Sequence, residues 1–256
     1  MKATLTVLGS GTSMGVPTIG CDCAVCHSPD PHDRRTRPSV MIEYNAKTVL
    51  IDTTPDFREQ AIREQIRSLD AVLYTHTHAD HILGIDDLRP LSFHRRDRIP
   101  LYARPDAADF LRNMFRYIFD PTYKYGGLAQ VELNTIEGPL DLFGMRFEPV
   151  RVMHGDLEII GFRFGSAAYL TDFSEIPDAS FAQLEGLDIL FLDALRHKPH
   201  PTHSTVENSL RIVERVKPKR AFFTHICHDL PHDATNASLP SHVRLSYDGM
   251  KLEFDI

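Results

Sequence analysis

The chain reads as an α/β fold in which two sheets pack together with helices on the outside. Three observations predict this. Short strand patterns dominate both halves, helical patterns interrupt each half, and metal-type motifs at His76, Asp172 and His225 each fall just after a strand. Strand-rich halves with interleaved helices bury their apolar faces as packed sheets covered by helices. Strand ends are rigid mounts with free space beyond, which suits a site holding several ligands in fixed geometry.

The first strand, about Ala3 to Gly9, alternates and runs into the turn Gly9-Ser10-Gly11-Thr12-Ser13. A cysteine- and arginine-rich loop follows, then strands near Ser39 to Tyr44 and Thr48 to Ile51. Thr53-Thr54-Pro55-Asp56 predicts a helix start, with a hydroxyl N-cap and proline in the first turn. Phe57, Ala61, Ile62 and Ile66 would give that helix one apolar face. Ala71 to Tyr74 is a buried-type strand that delivers the chain into a histidine cluster. A helix is predicted over about Ala107 to Phe119, followed by an aromatic loop with Tyr123 and Tyr125 beside Gly126-Gly127. From about Val131 to Leu170 the pattern is alternating and turn-rich, hence mostly strands. Ile189 to Leu192 is a strand, Val206 to Val216 a helix, and Ala221 to Phe223 a strand ending in Thr224-His225. Strands near Val243 to Tyr247 and Lys251 to Phe254 close the chain.

Of the 256 residues, 42% are hydrophobic and 25% charged, ordinary globular usage. One domain over residues 1–256 is expected. The net charge of −7 argues against a broad nucleic-acid footprint. It leaves room for a small phosphorylated substrate, because divalent cations can supply the local positive charge. No apolar run approaches a membrane span, and the N-terminus lacks the pattern of a signal peptide, so a cytoplasmic protein with no membrane partner is expected.

Thr75-His76-Thr77-His78-Ala79-Asp80-His81 packs three histidines and a carboxylate into six residues. Neutral imidazole and carboxylate suit zinc, manganese and iron. On a turn, His76 and His78 can face one ion while Asp80 and His81 face a second. Earlier in the chain, Cys21, Cys23 and Cys26 lie within six residues of one another, better read as a metal site than as disulfides in a reducing compartment. Three thiolates want a fourth ligand for tetrahedral zinc. His228 is the expected one, with Cys227 as its competitor.

The His-x-His-x-Asp-His run after a short strand resembles the signature of the metallo-β-lactamase superfamily, and the other motifs of that family follow in order. They are His154 after a strand, Asp172 in Tyr169-Leu170-Thr171-Asp172, and His225 in Phe223-Thr224-His225, with Asp52 ending an earlier strand. The resemblance implies a four-layer αββα sandwich of the metallo-β-lactamase type. It also implies two divalent catalytic ions, manganese or zinc, bridged by Asp172. His76, His78 and His154 would hold one ion, and Asp80, His81 and His225 the other. Asp52 would order the site from behind. Such a pair holds a hydroxide that attacks at neutral pH, since coordination lowers the pKa of water toward roughly 7.

Aspartate at 172 disfavours a lactamase, which resembles this pattern but carries cysteine there. His203, in His200-Pro201-Thr202-His203-Ser204-Thr205, resembles the histidine of the phosphodiesterase branch, which protonates the leaving oxygen or holds a phosphoryl oxygen. With Asp80 it completes the expected catalytic residues; His197 and His200 have weaker claims. The entry from Gly9 to Pro17 followed by Cys-x-Cys-x-x-Cys, the His225/His228 spacing and the closing Asp248-Gly249-Met250 are similar to the phosphoribosyl 1,2-cyclic phosphate phosphodiesterases of the carbon–phosphorus lyase pathway. That implies a small cyclic or nucleotide-like phosphodiester as substrate, one structural zinc on Cys21, Cys23, Cys26 and His228, and a homodimer. An RNA-processing nuclease of the tRNA 3′-endonuclease type and a thioester hydrolase are the alternative readings. Arg34, Arg35 and Arg37 would clamp phosphate oxygens or form a solvated loop. The aromatics from Phe115 to Tyr125 would stack on a base, form a dimer contact or simply pack.

Overall fold

The computed structural model describes residues 1–93, 95–123 and 126–256. Two seven-stranded mixed sheets carry the fold. The first contains β1 (Lys2–Gly9), β2 (Ser39–Tyr44), β3 (Lys47–Ile51), β4 (Ala71–Leu73), β5 (Ile99–Ala103) and β6 (Val131–Thr135). The second contains β7 (Leu140–Leu142), β8 (Met145–His154), β9 (Leu157–Phe164), β10 (Ala167–Leu170), β11 (Ile189–Asp193), β12 (Arg220–Thr224) and β13 (Val243–Leu245). The last strand, β14 (Lys251–Asp255), returns to the edge of the first sheet and pairs antiparallel with β1.

Each sheet is antiparallel on one side and parallel on the other. β3, β4, β5 and β6 run parallel in the first sheet, and β10, β11, β12 and β13 in the second. β4, β10 and β11 are short, mostly apolar runs buried on both faces, as Ile189–Asp193 is throughout, whereas the edge strand β6 exposes Glu132 and Thr135. Three apolar layers separate the four structural layers. Leu5, Ile42, Phe147, Phe162 and Phe191 fill the space between the sheets. Helices α1 (Phe57–Arg63), α2 (Ala79–Ile82), α3 (Arg89–Ser92), α4 (Pro105–Met114) and α5 (Arg116–Phe119) belong to the first half, and Phe57, Ile82, Leu111 and Ile118 join its outer apolar layer. Val206 and Val213 of α6 (Val206–Val216) pack in the outer layer of the second sheet with Leu190 and Phe223, and α7 (His232–Ser238) lies beside β13. The expected αββα sandwich is therefore the fold found.

Local departures have local causes. The predicted helix over Ala107 to Phe119 starts earlier and breaks at Phe115, whose side chain turns into the core. The first helix begins at Phe57, after the predicted cap: Thr54 Oγ1 accepts from the Asp56 amide, forming the turn before the helix instead of its cap. Because α1 ends at Arg63, Ile66 lies beyond it, and Ile62 is 62% exposed instead of completing an apolar face. Helix α6 has the predicted bounds, and Thr205 caps it by accepting from the Asn208 amide.

Candidate active site

The site is built at the C-terminal ends of strands from both sheets. β3 leads to Asp52, β4 leads to Thr75 and His76, β8 ends on His154, β10 leads to Asp172, and β12 leads to His225. Asp52, Asp172 and His225 all have positive φ, at 65°, 57° and 56°. A left-handed turn straight off a strand is costly for a non-glycine residue, about 1–3 kcal/mol. Three such residues at one site mark a backbone held for its side chains.

Two ligand groups meet there. The ring nitrogens of His76, His78 and His154 lie within 4.8 Å of one another, and so do the donor atoms of Asp80, His81, Asp172 and His225. Asp172 also groups with His154 and His203 within that span, linking the two sets. His81 Nε2 stands 3.2 Å from Asp80 Oδ2 and 3.3 Å from Asp172 Oδ1, while His225 Nε2 stands 3.0 Å from Asp172 Oδ2. Yet His76 Nε2, Asp80 Oδ2, His81 Nε2 and both His225 nitrogens are buried without a hydrogen-bond partner among the described residues. Buried polar atoms are normally paired. Atoms this close that do not bond one another converge on a shared point, which is the arrangement a metal ion satisfies.

The opposite edges of the rings are tied down. His81 Nδ1 lies 2.8 Å from Asp52 Oδ2, His154 Nδ1 2.7 Å from the Thr202 carbonyl oxygen, and His76 Nδ1 3.0 Å from Thr75 Oγ1. Asp52 also accepts from the Thr75 amide and hydroxyl at 2.9 and 2.7 Å. Such contacts fix the tautomer and leave Nε2 as the edge that a metal ion would meet. Burial, with His81 beside it, holds His76 well below the usual histidine value, and burial pushes His154 down to about 4. Both rings are thus neutral near pH 7, the form in which imidazole can bind a metal. Burial opposes charge at His225, but Asp172 and Asp80 outweigh it and raise the ring to about 10. Burial likewise pushes the Asp172 carboxyl up, and His225 and His81 more than reverse it, holding it well below the carboxylate range. The field that attracts a proton here is one a divalent cation would fill.

His203 enters the site from the loop after β11. Its ring stacks on His225 at 4.6 Å between centroids and meets His154 at 4.7 Å. Its Nδ1 lies 2.7 Å from Oδ2 of Asp193, a fully buried carboxylate. Asp193 and the Thr202 carbonyl are functional groups the motifs did not single out. The signal available for Asp193 was a lone acidic residue ending an apolar strand. Gly155, at φ +61°, lets this loop come close, since a Cβ there would sit 2.9 Å from Thr202 Cγ2. His200 lies on the rim, 5.0 Å from the His203 ring, and His197 is exposed and pairs with Glu207.

A separate cluster holds the cysteines. His228 Nδ1 lies 3.2, 3.6 and 3.4 Å from the sulfurs of Cys21, Cys23 and Cys26. Zinc bonds of about 2.3 Å to sulfur and 2.0–2.1 Å to nitrogen give tetrahedral S···N edges of about 3.5 Å. Cys227 stays outside this group, its sulfur accepting from the Asp229 amide.

The reading of the arginines changes, and for the aromatic segment the packing alternative holds at Phe115. Arg35 neither grips phosphate nor lies in a solvated loop: it is 1% exposed and bonded to protein groups. Arg37 is engaged by Asp56 and the Ser13 carbonyl, leaving Arg34 as the exposed arginine of the three. Phe115 and Ile118 are core residues, while Tyr117 is exposed and donates to Asp86. Tyr125 lies outside the described residues.

Residues 47–226 match the family model of the beta-lactamase superfamily domain. The chain belongs to the metallo-β-lactamase superfamily. A solved structure described as a new diphosphatase from the PhnP family is 63% identical, with a TM-score of 0.95, and the match covers 100% of this chain and 98% of that one. An octanoyltransferase of Porphyromonas gingivalis is 39% identical over 254 residues, 97% of this chain and 51% of that protein. A ribonuclease Z of Bradyrhizobium diazoefficiens is 26% identical over 147 residues, 54% of this chain and 47% of that protein. The chain thus spans about half the length of these curated relatives. No helix among the described residues is long and apolar enough to cross a membrane.

Proposed function

We propose that this chain hydrolyses small phosphodiesters, cyclic or nucleotide-like, including those whose bridge is a diphosphate. The observation that carries the reading is His203, held by Asp193 and standing beside the His154/Asp172 cluster. Its Nδ1 is committed to the carboxylate, so Nε2 is the edge free to give a proton to the oxygen that leaves phosphorus. The 63% identical diphosphatase supports a bridging P–O bond as the one cleaved.

His76, His78 and His154 would hold one divalent ion and Asp80, His81 and His225 a second, with Asp172 between them. Bound there, manganese or zinc would lower the pKa of water and offset charge on the phosphoryl oxygens. The chain's own residues do the rest. Asp52, Thr75 and the Thr202 carbonyl fix the ring orientations, and His203 supplies the proton. Cys21, Cys23, Cys26 and His228 would hold one structural zinc, which requires reduced thiols and so favours a cytoplasmic setting. A homodimer is part of the same reading.

The second reading, RNA processing, draws on the ribonuclease Z similarity. The net charge of −7 weighs against it. The test is hydrolysis of bis(p-nitrophenyl) phosphate, a nucleoside diphosphate sugar and a precursor tRNA, with chelator and then with manganese or zinc restored. Chelator-sensitive, metal-restored cleavage of the small esters supports the proposal. Cleavage of precursor tRNA alone would replace it with the nuclease reading.

A further inference from the structure

His225 and His228 lie three residues apart on one loop yet face different clusters. Both could not be placed by the loop alone, and a single buried side chain holds its midpoint. Arg35 Nη1 donates to the Cys227 carbonyl at 2.9 Å and Nη2 to the Leu230 carbonyl at 2.6 Å. Nη2 also pairs with Asp33 Oδ1 at 2.9 Å, and Nε donates to the His32 carbonyl at 3.2 Å. The backbone of Arg35 exchanges both hydrogen bonds with Val16, at 2.7 and 2.9 Å. Asp33 Oδ1 accepts in addition from the His232 amide, the first residue of α7. Arg35 therefore joins the segment leading into the cysteines, its own segment, and the loop bearing both histidines. On the catalytic side that loop is pinned by Ile226, which donates to Ser10 O at 3.0 Å, and by Cys227, which donates to Leu195 O at 3.1 Å.

Burying a guanidinium costs several kcal/mol even when it is paired. Its planar fork reaches several acceptors at fixed angles, which a lysine cannot reproduce. The geometry points to Arg35 as a positioning residue that couples the two metal clusters: with His228 anchored among the cysteines, the clamped Cys227 carbonyl sets where His225 presents its ring to Asp80 and Asp172. This rests on the ligand assignments proposed above. Coupling of this kind is reciprocal, so each cluster strengthens the other's hold on its ion.

The test is a double-mutant cycle on manganese binding at the histidine–aspartate site, followed by electron paramagnetic resonance titration, with zinc content measured alongside. Wild type, Arg35→Met, Cys26→Ser and the double variant are compared, with folding checked by circular dichroism. Each single change is expected to weaken manganese binding about tenfold, within the range of second-sphere effects, and the double variant no further. Arg35→Lys should recover part of the loss. Losses that multiply in the double variant, or wild-type affinity in folded Arg35→Met, would overturn the coupling while leaving the ligand assignments standing. If Arg35→Met does not fold, Arg35→Lys with Cys26→Ser runs the same cycle. Wild-type protein that takes up no manganese or holds no zinc would overturn the ligand assignments, and the coupling with them.

Discussion

Replacing Asp193 by asparagine tests the proton-donor role of His203 without touching a metal position. The carboxylate is fully buried and holds His203 Nδ1 at 2.7 Å. Asparagine keeps the volume but loses the charge and offers an amide that competes for the same ring edge. A hydrogen bond to a charged group contributes about 1.5–3 kcal/mol. At 1.36 kcal/mol per decade, that is about a ten- to hundredfold loss in kcat. The ceiling is the whole contribution of a general acid, about 10²–10⁴-fold, which His203→Ala should reveal. Asp193 acts only through His203, so the double variant should lose no more than His203→Ala alone. Initial rates with bis(p-nitrophenyl) phosphate, under saturating metal, provide the assay. A substrate with p-nitrophenolate as leaving group needs little protonation, so an unactivated diester should show the larger loss. Asp193→Asn with wild-type kcat on both substrates, or losses that multiply in the double variant, would refute the dyad.

Four further outcomes follow from the same geometry. His228→Ala should release one zinc per chain by elemental analysis, and unchanged zinc content would remove His228 from the cluster. Asp52→Asn should weaken catalytic-metal binding about 10–100-fold by freeing the His81 ring; a competition titration with a chelator reads this, and an unaltered affinity would deny Asp52 its role. In metal-free protein, His225 is raised from 6.5 to about 10. That stabilisation is complete below pH 6.5 and lost as pH rises toward 10, so the chelated protein should melt at lower temperature across this window. Metal-loaded protein should not follow, because the ion replaces the proton; parallel melting curves would contradict this. Gly9→Ala would place a Cβ 1.9 Å from the Arg37 carbonyl oxygen. A destabilisation of about 1–3 kcal/mol or more is expected in urea unfolding, and wild-type stability would show that this approach relaxes freely.

The layers and most strands were legible because they rest on local pattern. Runs such as Ile189–Asp193 and Arg220–Thr224 are apolar, short and bounded, and they became the buried parallel strands. The residues that meet in the candidate clusters stood out because histidines and aspartates recur beside strand ends. What escaped was long-range. Nothing local says that Thr202 offers its carbonyl to His154, 48 residues away, or that Asp193 turns toward His203. Arg35 was hardest, since an arginine among Asp33, Arg34 and Arg37 looks solvated, and its burial depends on carbonyls more than 190 residues distant.

The two sheets explain why the site can be both strained and precise in its aim. Each parallel half ends at the same edge of the sandwich, so the chain leaves β3 and β4 from one sheet and β10, β11 and β12 from the other toward a common space. A residue continuing a strand would point its side chain to one face of the sheet. The left-handed turns at Asp52, Asp172 and His225 instead break that alternation where each strand gives way to its loop. The last three residues of β3, all of β10 and all of β12 but its first residue are buried, and their ladders hold those turns in place at a cost of about 1–3 kcal/mol each. The strain therefore resides in backbone that the core does not allow to relax. Convergence of the donor atoms is then set by the fold itself, which is the preorganisation a site of several ligands requires.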